Sequence, residues 1–348
     1  MNEASNFCDG VCYDEQKALM PVQSNLPYVP GGRSLEIKAI SMDATHFNGV
    51  TELDAHSTFG YMEVKATHEW FQKNKKRTMI ISRSTVPGSG SVGSAWLGDN
   101  FSTLEYMSYS VPGIMSMNMY GIHLVGTDIC GFNGHSDDPE LCTRWTVLGA
   151  LFPFSRNHNS IDSPDQYPYS APFGEIYEQG MTYTDVMRDG IRNKYALLSY
   201  YYSEMMQISQ SGGQFFRPVF YDYPGDVNTW ADVHHNFMVG SSLKASFVTD
   251  KLHQNTTPFY FPKGAWCNIW DHSCTYSAGE MLTLSTKAYD ANLHLKEGAI
   301  IPMGSRQLVT DLKINKADDA YKKLPTNFAA NPQIISTDPL TGLVNWQT

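Results

Sequence analysis

The chain has 348 residues, enough for two or three domains, and its 42% hydrophobic and 13% aromatic content supports a sizeable core. Only 17% of residues are charged, which argues against disorder over most of the length, and the formal net charge of -10 opposes nucleic acid and anionic membrane surfaces as partners. No apolar run reaches the ~18 residues of a membrane span, and the opening MNEASNFCDG has neither the basic nor the apolar region of a signal peptide.

Residues 1 to 60 read as irregular, punctuated by Pro21, Pro27, Pro30 and Gly31-Gly32, and so long a loop in a compact domain is usually functional. Six cysteines fall into three local pairs: Cys8 with Cys12, Cys130 with Cys142, and Cys267 with Cys274. The pairs predict three small disulfide loops and an oxidising compartment; six reduced thiols of a cytosolic enzyme are the competing reading. No CxxC spacing or His cluster supports a zinc site. Asn255-Thr256-Thr257 is a glycosylation sequon in a polar stretch, in keeping with secretion. An oxidising compartment conflicts with the missing leader, and a true N-terminus further upstream is the expected resolution.

A helix is predicted over 61 to 76, its basic end at Lys73 to Arg77 complementing the helix dipole. A buried strand, Thr78 to Ile81, runs into Ser82-Arg83-Ser84. A Gly/Ser-rich loop leads to a second strand, Ala95 to Leu97, ending in Gly98-Asp99-Asn100. A helix over 102 to 119 precedes a third strand, Ile122 to Val125, which ends in Gly126-Thr127-Asp128. After a helix from Asp138 to Leu148, a fourth strand, Leu151 to Phe154, ends in Ser155-Arg156-Asn157-His158.

Apolar strand, polar strand end, then helix or long loop is the pattern of parallel strands joined by crossovers. In a (β/α)8 barrel the C-terminal strand ends carry the chemistry, and four repeats make half of one. An open doubly wound sheet is the alternative, without a GxGxxG phosphate loop to support it. A long helix over 182 to 210 carries the stripe Met187, Ile191, Tyr195, Leu198, Tyr201 and Met205, expected to pack against the barrel. Beyond Ser211-Gly212-Gly213, short strands at Phe215 to Tyr221, Pro258 to Phe261, Leu282 to Leu284 and Ala299 to Pro302 predict an all-β domain. The expected organisation is an α/β partial barrel over 1–212, a β-sandwich over 213–305, and over 306–348 the truncated start of a further domain or a tail.

The strand ends supply Arg83, Asp99, Asp128, Arg156 and His158, with Trp96 and Phe132 nearby in sequence. Taken singly, these residues read as turn residues, helix caps, ion pairs or a structural histidine. Together, at four successive strand ends, they suit a sugar: glycoside cleavage needs an acid for the leaving oxygen and a second carboxylate close by. Arg and His bond hydroxyls and tune the carboxylates, and aromatic faces stack on the ring.

Long collinear motifs then carry a resemblance. MNEASNF at Met1 to Phe7, SRSTVPGSGSVGSAWLGDN at Ser82 to Asn100, GTDICGF at Gly126 to Phe132 and FPFSRNHN at Phe152 to Asn159 resemble the barrel motifs of glycoside hydrolase family 31. FFRPVFYDYP at Phe215 to Pro224 and HLKEGAIIPM at His294 to Met303 resemble its C-terminal β-domain. The resemblance implies that the four strands are barrel strands five to eight, with Asp99 as general acid/base. It makes Arg83, Asp128 and His158 the lining of the subsite for a non-reducing glucose, supported by Arg156 and Trp96, bordered by Phe132, with Glu3 as a support residue. The sequon Asn100-Phe101-Ser102 lies inside this motif and is expected to stay unmodified.

The nucleophilic Asp of the family pattern immediately precedes Met1, so it is expected to be missing here together with strands one to four. Ala95 stands where a His is common. Cys130 and Cys142 match a disulfide of lysosomal and intestinal maltase-like members, implying a retaining α-glucosidase that acts on oligosaccharides with terminal α-glucose. The α-xylosidases and processing glucosidases are the alternatives within the class, and a non-catalytic carbohydrate-binding or regulatory pseudoenzyme the alternative outside it. No metal or cofactor is implied. The N-terminal half of the barrel is the implied partner for a complete fold, and the secretory pathway (lysosomal, vacuolar or extracellular) is the implied location.

Overall fold

A computed structural model describes residues 3–13, 34–170 and 172–304, and the backbone of 333–337 and 344–347. Pro21, Pro27, Pro30, Gly31-Gly32 and the first two residues of MNEASNF lie outside the described residues. The chain divides into two compact units, one of Met1–Trp96 with Tyr120–Ile122, the other of Leu97–Met119 with His123–Thr348.

The first unit holds a short helix missed in the sequence, α1 (Glu52–Ala55), capped by the Thr51 side chain. Glu52 is fully buried, and its two carboxylate oxygens meet His46 Nε2 at 2.8 Å and His56 Nδ1 at 2.9 Å. Helix α2 (Phe59–Lys73) ends at Asn74, whose amide caps Trp70 O, and Lys75 turns the chain with φ 51°. The basic run is thus a helix end. Strands β1 (Ile81–Ser82) and β2 (Ser94–Trp96) pair in parallel, Ile81 opposite Ser94.

In the second unit, α3 (Leu104–Met119) buries Met107, Val111, Ile114 and Met115, the i, i+4, i+7, i+8 face of an amphipathic helix. Strand β3 (Val125–Gly126) and strand β4 (Asp128–Ile129) follow. Helix α4 (Pro139–Gly149) starts with Asp138 as N-cap and Pro139 in its first turn. The fourth predicted strand is displaced: Leu151–Phe154 forms turns, and the strand is β5 (Arg156–Asn157). The apolar run there is buried by packing, while ladder pairing begins only where β5 meets β4 in parallel.

A hairpin of β6 (Ile176–Glu178) and β7 (Met181–Thr182) leads into α5 (Tyr183–Ser211), opened by a Thr182–Asp185 capping box. The buried face of α5 is Val186, Met187, Gly190, Asn193, Ala196, Leu197, Tyr200 and Tyr201, rotated from the predicted stripe. Ile191, Tyr195 and Leu198 instead line a cavity of ≈ 400 Å³ shared with Ile129, Ala150 and Arg156.

Strands β8 (Phe216–Pro218), β9 (Asn236–Val239), β10 (Leu243–Ser246), β12 (Gly264–Asn268), β13 (Cys274–Ser277) and β15 (Asn292–Lys296) form one sheet in the order β13-β12-β15-β10-β9-β8, with antiparallel neighbours. Strands β11 (Thr256–Phe261) and β14 (Glu280–Ser285) make a separate antiparallel ladder. Phe259 and Phe261 of that ladder pack on Trp266 of the larger sheet with Val248. Strand β16 (Ile300–Met303) pairs with β17 (Gln333–Thr337), and β17 with β18 (Val344–Gln347). All three predicted cysteine pairs are disulfides: Cys8–Cys12, Cys130–Cys142 and Cys267–Cys274.

Helix α4 is tied to the β-sheet region by ionic contacts. Buried Arg144 donates to Glu140 Oε1 at 2.5 Å and to the carbonyls of Thr286 and Gln254. The His253 backbone N–H donates to the same fully buried Glu140, and its ring lies 2.8 Å from Asp138 Oδ2. Arg144→Ala takes the guanidinium from a buried carboxylate and leaves it the His253 contacts, so it should cost about 3 kcal/mol, read by denaturant unfolding. The hydrogen bond to Asp138, with the Glu140 charge, raises the pKa of the His253 imidazole. A raised folded-state pKa contributes stability that is complete below the unfolded value of about 6.5 and is lost as pH rises through the folded value. The melting-temperature gap between wild type and His253→Gln should therefore narrow from pH 5.5 to pH 8, about the range over which this group titrates; a gap that widens would overturn the pairing.

Candidate active site at the strand ends

The second unit brings Asp99, Asp128, Phe132, Arg156 and His158 to one end of its short parallel strands. Asp128 and Arg156 face each other in the β4–β5 register. Arg156 donates twice to Asp128 Oδ1, at 2.5 Å and 3.1 Å, while Oδ2 is buried without a hydrogen bond among the described residues. Asp128 has no exposed surface. Burial raises its pKa, opposed by the Arg156 hydrogen bond and charge and by His158, and reinforced by the nearby Asp99. A buried, half-satisfied carboxylate is costly unless a ligand donates to the open oxygen, so Oδ2 is a natural acceptor for a hydroxyl.

Local sequence explains the placement. Gly126 runs so close to the neighbouring backbone that a Cβ there would lie 1.9 Å from Phe154 O. Gly131 holds φ 88° against Ser102, and Cys130, with φ 75°, is tied to α4 through Cys142. Asp99 is exposed; it is not a helix cap, since α3 begins at Leu104. The His158 and Phe132 rings lie 5.0 Å apart.

Two residues escaped the sequence reading. Asn100, 9% exposed, donates to Asp128 O and accepts from Phe132 N through Oδ1, locking the segment after Asp99 to the β4 end. Its position inside Gly98-Asp99-Asn100 was the available signal. Gln166 lies in a loop with no periodicity, and its amide nitrogen meets four acceptors: Ile129 O, Gly131 O, Asn157 Oδ1 and His158 O, at 2.8–3.3 Å.

Glu3, Arg83 and Trp96 belong to the other compact unit. There Arg83 grips Glu3 through two 2.6 Å hydrogen bonds, which lower the Glu3 pKa. Trp96 closes β2 and is half-buried. Among the described residues no group of three or more His, Cys, Asp or Glu forms a metal site.

Short parallel strands ending in acids, an arginine and a histidine, followed by a mostly antiparallel β region, place polar side chains where an α/β fold keeps its sites. Residues 1–204 match the glycosyl hydrolases family 31 TIM-barrel domain, and residues 212–301 match the glycosyl hydrolase family 31 C-terminal domain. The chain belongs to glycosyl hydrolase family 31.

Lysosomal alpha-glucosidase of Rattus norvegicus is 36% identical over 89% of this chain and 33% of its own length. A probable alpha-glucosidase of Oryza sativa is 34% identical over 92% of this chain and 36% of its own. This chain therefore spans about a third of the length of these relatives. The crystal structure of glucosidase II alpha subunit superposes with TM-score 0.70 at 23% identity, covering 84% of this chain and 31% of that one. The cycloalternan-degrading enzyme from Trueperella pyogenes superposes with TM-score 0.68 at 24% identity, covering 75% and 36%. At such identities these superpositions speak for the fold.

Because the folded Asp128 has a raised pKa, ionising it destabilises the fold as pH climbs out of the ordinary carboxylate range. Asp128→Asn should therefore melt no lower than wild type at pH 7, read by thermal unfolding. A clear drop in melting temperature at pH 7 would instead make Asp128 a structural residue.

Proposed function

We propose that this chain carries the acid/base half of a retaining α-glucosidase site that removes terminal non-reducing α-linked glucose from oligosaccharides. The observation that carries the reading is the buried Asp128 carboxylate, one oxygen held by Arg156 and the other open, beside exposed Asp99 and His158. Asp128, Arg156 and His158, with Phe132 at the border, would hold the hydroxyls and face of one glucose. Asp99 would protonate the leaving oxygen and then take a proton from water. In the family pattern the attacking carboxylate stands immediately before the Met1 position, and Glu3, tied up by Arg83, is a support rather than a substitute.

On this reading β1, β2, β3 and β5 are barrel strands five to eight, with β4 continuing the seventh. Residues 1–212 then form the C-terminal half of the barrel, 213–305 the β-sandwich, and 306–348 a tail or further domain. The α-glucosidases among the relatives favour glucoside over xyloside. Three disulfides support a secretory-pathway location, as does the lysosomal name of a relative. No helix among the described residues is long and apolar enough to cross a membrane.

The test is Asp99→Asn in the protein at its full natural length. Turnover of maltose should fall by about 10²–10⁴, the usual worth of a general acid. The kcat/KM for α-glucosyl fluoride, which reports formation of the glucosyl-enzyme and whose leaving group needs no proton, should fall far less than that for maltose. Equal losses on both substrates, or little loss on maltose, would sink the assignment; maltose binding without turnover by the unmutated protein would favour the pseudoenzyme.

A further inference from the structure

The loop after β5 carries two tyrosines that the site description leaves unused. Tyr167 and Tyr169 are 52% and 78% exposed, yet their rings lie parallel within 2°, with centroids 5.3 Å apart. The local cause is the Tyr-Pro-Tyr sequence: a residue before proline is held extended, and in extended chain i and i+2 share a side.

The loop beneath them is tied down at several points. Pro168 O accepts from Thr184 Oγ1 in the first turn of α5, and Tyr167 O accepts from Ser170 N. Gln166 O accepts from Asn157 Nδ2, and Asn159 Nδ2 donates to Pro164 O. The Gln166 side chain joins this loop to the carbonyls of Ile129, Gly131 and His158, so the tyrosines follow directly on a residue bonded to the strand ends that hold Asp128 and Arg156. Exposed aromatic rings held rigid lose little entropy when a flat ligand covers them.

We propose that Tyr167 and Tyr169 form an aromatic platform for a further sugar ring of an oligosaccharide whose terminal glucose sits at Asp128, Arg156 and His158. Tyrosine suits this ligand, offering an apolar face to sugar C–H groups and a hydroxyl at its rim. A net charge of -10 disfavours nucleic-acid bases, the other common stacking ligand. The platform would make the protein prefer longer chains, and it rests on the α-glucoside reading above.

The test compares maltopentaose with p-nitrophenyl α-glucoside, using the protein at its full natural length. In the Tyr167→Ala/Tyr169→Ala variant the ratio of kcat/KM for maltopentaose to that for the aryl glucoside should fall about tenfold, carried by KM. Tyr167→Phe/Tyr169→Phe, which keeps both ring faces, should restore most of the ratio. An unchanged ratio in the alanine variant overturns the platform while leaving the α-glucoside reading intact. If the unmutated protein cleaves neither substrate, that reading fails instead. Tyrosine ring-proton shifts on titration with maltopentaose then decide alone: saturable shifts support the platform, and their absence overturns it. Should the double alanine variant lose its circular-dichroism spectrum, Tyr169→Ala, at the more exposed ring, serves in the same comparison.

Discussion

Asp128 is a carboxylate taken wholly out of water, and the strand ends of the second unit are organised around that cost. Burial pushes its pKa up, and only Arg156, delivered by the parallel register of β4 and β5, pulls in the opposite direction through contact. One guanidinium satisfies one oxygen. The second oxygen stays open, a local instability of the kind that proteins keep where a ligand completes the hydrogen bonding.

That arrangement demands close backbone approach. A side chain at Gly126 would collide with Phe154 O, so glycine here admits the neighbouring backbone rather than merely bending the chain. Asn100 then spans from the segment after Asp99 to the β4 carbonyl and to Phe132 N, setting the backbone beside the acid/base candidate with a neutral amide. Gln166 does the same for the loop beyond β5, its amide group gathering carbonyls that the short ladders leave unpaired. Ladders of two residues cannot satisfy their own ends, so side-chain amides do it.

Away from the site, α5 and the sheet share buried polar contacts. The Tyr200 hydroxyl donates to Val239 O and accepts from Ser242 N; the Tyr201 hydroxyl donates to Leu151 O. Asn118 at the end of α3 accepts from the backbone of Phe215 and Phe216. Helix ends and strand starts are thereby fixed to one another.

Local chemistry made much of this legible in advance. The helical stretches behind α2, α3, α4 and α5, the Ser211-Gly212-Gly213 stop and the cysteine pairs act over a few residues, so the sequence alone determined those elements and the family motifs. Strand existence depends on a partner, which explains why Leu151–Phe154 was expected to be a strand and β5 falls two residues later. The same dependence hid β9, β10, β12 and β15, whose burial on both faces leaves no alternation to read. Which face of α5 is buried was also beyond the pattern, because Ala196 and Asn193 pack inward while Tyr195 and Leu198 face a cavity. Tertiary structure alone decided that Asn100 and Gln166 hold the strand ends together, since a polar residue becomes a hub only when distant carbonyls are brought to it.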